Sequence, residues 1–106
     1  MEENRIPIGG RKLANPEDIM MLQADINYTI IYFKDGRKCI VATTLKTLES
    51  RFESFNFFRT NRNMLVNLDY VKNFFKPHKQ LQMTDNKQVV VARRRVDGLK
   101  RTLLMR

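Results

Sequence analysis

The residues best suited to chemistry in this chain are basic and amide side chains gathered at three places: Arg59 with Asn61, Arg62 and Asn63; Lys76 with Lys79; and the run Arg93, Arg94, Arg95. A guanidinium is a planar fork of donors that bridges the two acceptors of a guanine edge or grips a phosphate, and an asparagine amide matches adenine bidentately. Asn61-Arg62-Asn63 therefore reads as a loop able to contact base edges, although on spacing alone the same residues also suit a solvated charged loop.

Catalytic arrangements fare badly by comparison. His78 stands in a basic turn beside Pro77, with no second histidine and no cysteine near it to complete a zinc set, as expected of a solvated loop histidine. Ser50 and Ser54 lack the glycine-rich elbow that exposes a nucleophile. Asp18, Asp35, Asp69, Asp85 and Asp97 fall in turns or at helix starts, where carboxylates cap backbone N–H groups or face solvent. Gly9-Gly10 lacks the strand-to-helix setting of a phosphate loop and reads as a turn. No enzymatic activity, metal or cofactor is expected.

Length and charge narrow the field further. The chain of 106 residues suits a single domain. Twenty Lys and Arg against eleven Asp and Glu leave a formal charge of +9, which calls for an anionic partner: nucleic acid, a phospholipid surface or an acidic protein. No apolar run approaches the roughly 18 residues needed to span a bilayer. Met1-Glu2-Glu3-Asn4-Arg5 is not a basic leader followed by an apolar stretch, so a cytoplasmic protein without a membrane partner is expected. Cys39 is the single cysteine; it suits a reducing compartment and reads as a small buried apolar residue on a strand.

The elements that must position the basic loops are mostly strands. Arg5 to Ile8, Met20 to Ala24, Tyr28 to Phe33 and Lys38 to Thr43 are short runs rich in apolar and aromatic residues, with Asp35-Gly36 as a hairpin signal between the last two. Asn15-Pro16-Glu17-Asp18 reads as a capped helical turn. Leu45, Leu48 and Phe52 share a helical stripe behind a Thr43 or Thr44 cap, and Phe55, Phe57 and Phe58 read as core. Arg59 to Asn63 is expected to be irregular, and Met64-Leu65-Val66 with Leu68 a short helical turn. A second meander follows over Tyr70 to Phe75, Gln80 to Thr84 and Gln88 to Ala92, and Val96, Leu99, Lys100 and Leu103 mark a closing helix.

From Phe58 to Val71 the sequence Phe-Arg-Thr-Asn-Arg-Asn-Met-Leu-Val-Asn-Leu-Asp-Tyr-Val resembles the LytTR family, the output domain of LytR/AlgR-type response regulators, whose signature reads Phe-Arg-x-His-Arg-Ser-Tyr-Leu-Val-Asn. Asp18-Ile19, Asn27-Tyr28, the helix start at Thr44-Leu45 and the Val91-to-Leu99 ending follow in the same order, so the resemblance covers about Ile6 to Leu104. It implies a mainly β fold with a few short helices, an elongated β-β-β arrangement of short antiparallel sheets. It also implies three reading loops: Asn27 with Tyr28, then Arg62 with Asn61 and Asn63, then Arg94 with Arg93 and Arg95, with phosphate anchoring by Arg59, Lys100 and Arg101. Asn61 stands where the family usually has His, Asn63 where it has Ser, and Ala92 where Ser is common, so a family sequence preference is not carried over.

The function so implied is sequence-specific binding of double-stranded DNA by a bacterial transcriptional regulator, with loops entering successive major grooves. Partners would be the duplex, a second copy on a neighbouring repeat, and a receiver domain or sensor kinase. The alternative is a basic protein-interaction module docking an acidic partner or receiver domain. RNA is the weaker choice, since no exposed aromatic strand motif of an RNA-recognition module is evident.

Overall fold

A computed structural model describes residues 5–105; the reading of Met1 to Asn4 as no leader lies outside the described residues. The hairpin of β1 (Ile6–Gly9) and β2 (Lys12–Ala14) leads through a 3-10 turn at Pro16–Asp18 to β3 (Ile19–Asp25), β4 (Tyr28–Phe33) and β5 (Lys38–Val41). Helix α1 (Leu45–Arg51) precedes the hairpin of β6 (Phe57–Asn61) and β7 (Met64–Asn67). After a 3-10 turn at Leu68–Tyr70 come β8 (Val71–Phe75), β9 (Gln80–Met83) and β10 (Gln88–Val90), then a 3-10 turn at Arg93–Arg95 and helix α2 (Val96–Leu104). The strands form three antiparallel sheets, ordered β1-β2, β5-β4-β3-β7-β6 and β10-β9-β8. This is the mainly β architecture of short antiparallel sheets with a few helices that the sequence led one to expect.

The five-stranded sheet is buried on both faces, and that explains its composition. One face joins the β1-β2 hairpin and α1 around Ile8, Ile19, Leu22, Ile31, Leu48, Phe52 and Leu65. The other joins the three-stranded sheet and α2 around Met20, Met21, Val66, Leu81, Met83 and Leu99. A strand with cores on both sides shows no polar alternation, and β3 accordingly runs Ile-Met-Met-Leu. The register shift between Ile19 and Met21 lets two consecutive methionines reach the second core.

Two expectations need correcting here. Arg59 to Asn61, expected to be irregular, continue strand β6 from Phe57, and Met64 to Asn67 is a strand rather than a helical turn. β7 pairs with both β3 and β6, so its backbone groups are used in ladders on either side. Strand β2, absent from the sequence reading, is held by its pairing with β1.

Local signals account for the rest. Thr44 accepts the Thr47 N–H and starts α1, while Asn15 accepts the Glu17 N–H ahead of Pro16. Gly9 has φ +134, and a β-carbon there would stand 2.5 Å from Thr43 Oγ1 and 3.1 Å from Val41 Cβ. Gly9→Ala is therefore expected to cost about 1–3 kcal/mol of stability, read as a lower melting temperature by calorimetry.

Candidate nucleic-acid interface

Two hairpin tips lie side by side at one end of the five-stranded sheet. β3 and β4 close through Ile26 and Asn27, with Asp25 opposite Tyr28. β6 and β7 close through Arg62 and Asn63. The Ala24 N–H donates to the Asn63 carbonyl at 2.8 Å, which extends the β3–β7 ladder past Gln23 and Met64 and fastens the tips together. Asn27, Arg62 and Asn63 are exposed, as is Tyr28 at 54%. Directly behind Tyr28, fully buried Thr29 donates its hydroxyl to the Thr43 carbonyl at 2.7 Å and anchors the strand base.

The third segment is tied to the outer edge of β6. The Ala92 N–H donates to the Thr60 carbonyl at 2.8 Å, and Asn61 Nδ2 donates to the Val90 carbonyl at 2.7 Å. Arg93, Arg94 and Arg95 follow at once in their 3-10 turn, the first two exposed. Arg94, Arg95 and Arg101 surround a shallow hollow with Phe58, Asp97 and Gly98 where α2 meets β6. Lys100 is half-buried on the same helix.

Not all of the expected contact residues are presented outward. The Asn61 amide is used twice within the fold: besides the bond to Val90, its Oδ1 accepts the Asn63 N–H at 2.8 Å, shaping the turn that carries Arg62. Arg59 is committed further. Its side chain is 14% exposed, pairs with Glu49 at 2.6 Å, and donates to the Asn61 and Arg62 carbonyls at 3.0 and 2.6 Å. Arg59 therefore holds the Arg62 turn from behind, and little of it is left for a phosphate. Glu49 was missed by the sequence reading because it lies on α1, ten residues before its partner.

Lys76 and His78, the other basic turn, sit after β8 in the three-stranded sheet. On the near side of that sheet Lys87 lies over the Tyr32 ring, 5.4 Å from its centroid, and pairs with Asp85 at 2.9 Å. Partial burial pushes the Asp85 carboxyl up, but hydrogen bonds from the Lys87 side chain and backbone outweigh it and hold the group below the ordinary carboxylate range.

Among the described residues, ten short strands, five of them in a sheet with a core on each face, carry arginines and amides along one end and one edge of that sheet, a surface suited to an anionic partner. The family model of the LytTr DNA-binding domain matches residues 9–104, and the chain belongs to that family. Its fold is similar to the solved LytTr DNA-binding domain of a Bacillus cereus protein described as a methyl-accepting/DNA response regulator, with a TM-score of 0.77 at 17% identity over 97% of each chain. No curated protein matches the chain.

Proposed function

We propose that this domain binds double-stranded DNA sequence-specifically as the output module of a bacterial response regulator in the cytoplasm, inserting its loops into successive major grooves. The observation that carries the reading is the fastening of three chain segments, distant in sequence, to adjacent strands by the Ala24–Asn63 and Ala92–Thr60 backbone bonds, each 2.8 Å. These bonds support Tyr28, Arg62 and Arg94 acting on one duplex. A longest dimension of 41 Å is comparable with the roughly 34 Å between successive major-groove faces.

In this reading Arg62, Asn63 and Arg94, with Asn27 and Tyr28, contact base edges. Arg93, Arg95, Lys100 and Arg101 meet phosphates, and Arg59 and Asn61 position the Arg62 turn. So small a footprint favours two copies on neighbouring repeats, and a receiver domain or sensor kinase would supply the input.

Arg62→Ala tests the central assignment. On a site selected from random sequence it is expected to cost about 1–3 kcal/mol, and almost nothing on unselected DNA, measured by titration at constant salt. Equal losses on both would make Arg62 a phosphate contact. Unchanged affinity on both would remove the second loop from the interface and favour the protein-docking alternative.

A further inference from the structure

We infer that Ile26 reads thymine, its side chain meeting the C5-methyl group of that base in the major groove. The inference rests on the DNA-binding reading above and adds a specificity residue to it.

Ile26 carries two costs with no compensating burial among the described residues. It is 94% exposed, the most exposed of the large apolar side chains among the described residues. It also has φ +53, in the left-handed region where a β-branched residue is a genuine outlier. Glycine or asparagine would close the same two-residue hairpin more easily. Asn27 already stands next to it, so the polar residue suited to that conformation occupies the neighbouring position instead.

The place of the side chain narrows what it meets. Asp25 and Tyr28 pair across the strands at the base of the turn, which leaves Ile26 and Asn27 as its only loop residues. The ladder pairs the residues on either side of the turn, so the branched sec-butyl side chain stands at the tip of a tight two-residue hairpin. The Ala24–Asn63 bond puts the turn beside the one that carries Arg62. Around Ile26 the exposed neighbours are Asp25, Asn27, Tyr28, Arg62 and Asn63, largely a hydrogen-bonding surface. Among the groups that base pairs display in the major groove, thymine's methyl is the apolar one, and side chains that read it do so by apolar contact. An exposed, β-branched side chain within a polar reading surface fits that group.

The test uses the full chain and a duplex selected by it, with each thymine replaced in turn by deoxyuridine, which removes the methyl group alone. Wild-type protein is expected to lose about three- to tenfold in affinity at one position, the worth of about one buried methyl group. Ile26→Gly and Ile26→Asn are expected to bind the thymine and deoxyuridine duplexes equally at that position and to keep the other base preferences. Ile26→Gly should melt no lower than wild type, because glycine accepts the left-handed backbone without strain. Wild-type indifference to the methyl at every position, or a methyl preference that survives in Ile26→Gly, would overturn the inference while leaving DNA binding intact. Failure of the wild-type protein to retain any duplex would instead overturn the DNA-binding reading beneath it. Methyl-indifferent DNA binding together with Ile26-dependent retention on phosphatidylserine vesicles would reassign the tip to a membrane surface.

Discussion

Raising salt from 50 to 200 mM is expected to weaken duplex binding by about 150-fold, with log affinity falling against log salt at a slope of about −3.6. The figure comes from the cations proposed to face DNA. Several basic side chains are answered within the fold: Arg59 pairs with Glu49, Arg37 with Asp35, Lys34 with Asp18 and Lys87 with Asp85. Arg37 donates from both backbone and side chain to Asp35, and these bonds hold that carboxyl below its ordinary range. Such pairs lower the number of counterions the duplex releases when it binds. Arg93, Arg95, Lys100 and Arg101 remain as the proposed phosphate contacts, with Arg62 and Arg94 on base edges, and each phosphate neutralised contributes about −0.9 to the slope. Replacing Arg93, Arg94 and Arg95 by glutamine should therefore flatten it by about 2. A wild-type affinity that does not change with salt would remove the electrostatic basis of the proposed function.

The sequence revealed the basic segments more clearly than the way they are held. Arg62, Arg93 and Arg94 could be singled out by residue type and clustering, and Asp35-Gly36 marked its hairpin because only a turn uses that pair so readily. Strand β7 was hidden for a physical reason: Leu65 faces the first core and Val66 the second, so a four-residue run buried on both sides has no polar alternation to separate it from a helical turn. Strand β2 is three residues long with Lys12 and Leu13 exposed, and only pairing with β1 identifies it. In the interface, the inward commitment of Arg59 depends on a carboxylate from another element, and that of Asn61 on the Val90 carbonyl 29 residues away. Local spacing carries neither. The asparagines of the Phe58-to-Val71 segment invite a single polar reading, yet Asn63 is at the surface and Asn67 is deep in the fold.

Asn67→Ala is expected to destabilise the domain by about 2–4 kcal/mol, lowering the melting temperature by roughly 10–25 °C, with affinity for DNA unchanged in the molecules that remain folded. Asn67 is 3% exposed at the end of β7. Its Nδ2 donates to the Ile19 carbonyl at 2.9 Å and the Pro16 carbonyl at 3.3 Å, while its Oδ1 accepts the Asp69 N–H at 2.9 Å. One amide thus joins the 3-10 turn at Pro16–Asp18 and the start of β3 to the 3-10 turn that leads into β8. Alanine would leave these backbone groups in a space too enclosed for ready hydration, and an unsatisfied buried polar group costs more than the net worth of the bond it has lost. The nearby Tyr70 hydroxyl also donates to the Glu17 carbonyl, so loosening the junction should release a second cross-link and make the transition less cooperative. Phe57 sits opposite Asn67 in the β6–β7 ladder, at the end away from Arg62 and Asn63. A variant that melts early but binds DNA normally at low temperature would therefore assign Asn67 to the framework. Weakened binding at full folding would mean that the two ends of the β6–β7 hairpin are coupled.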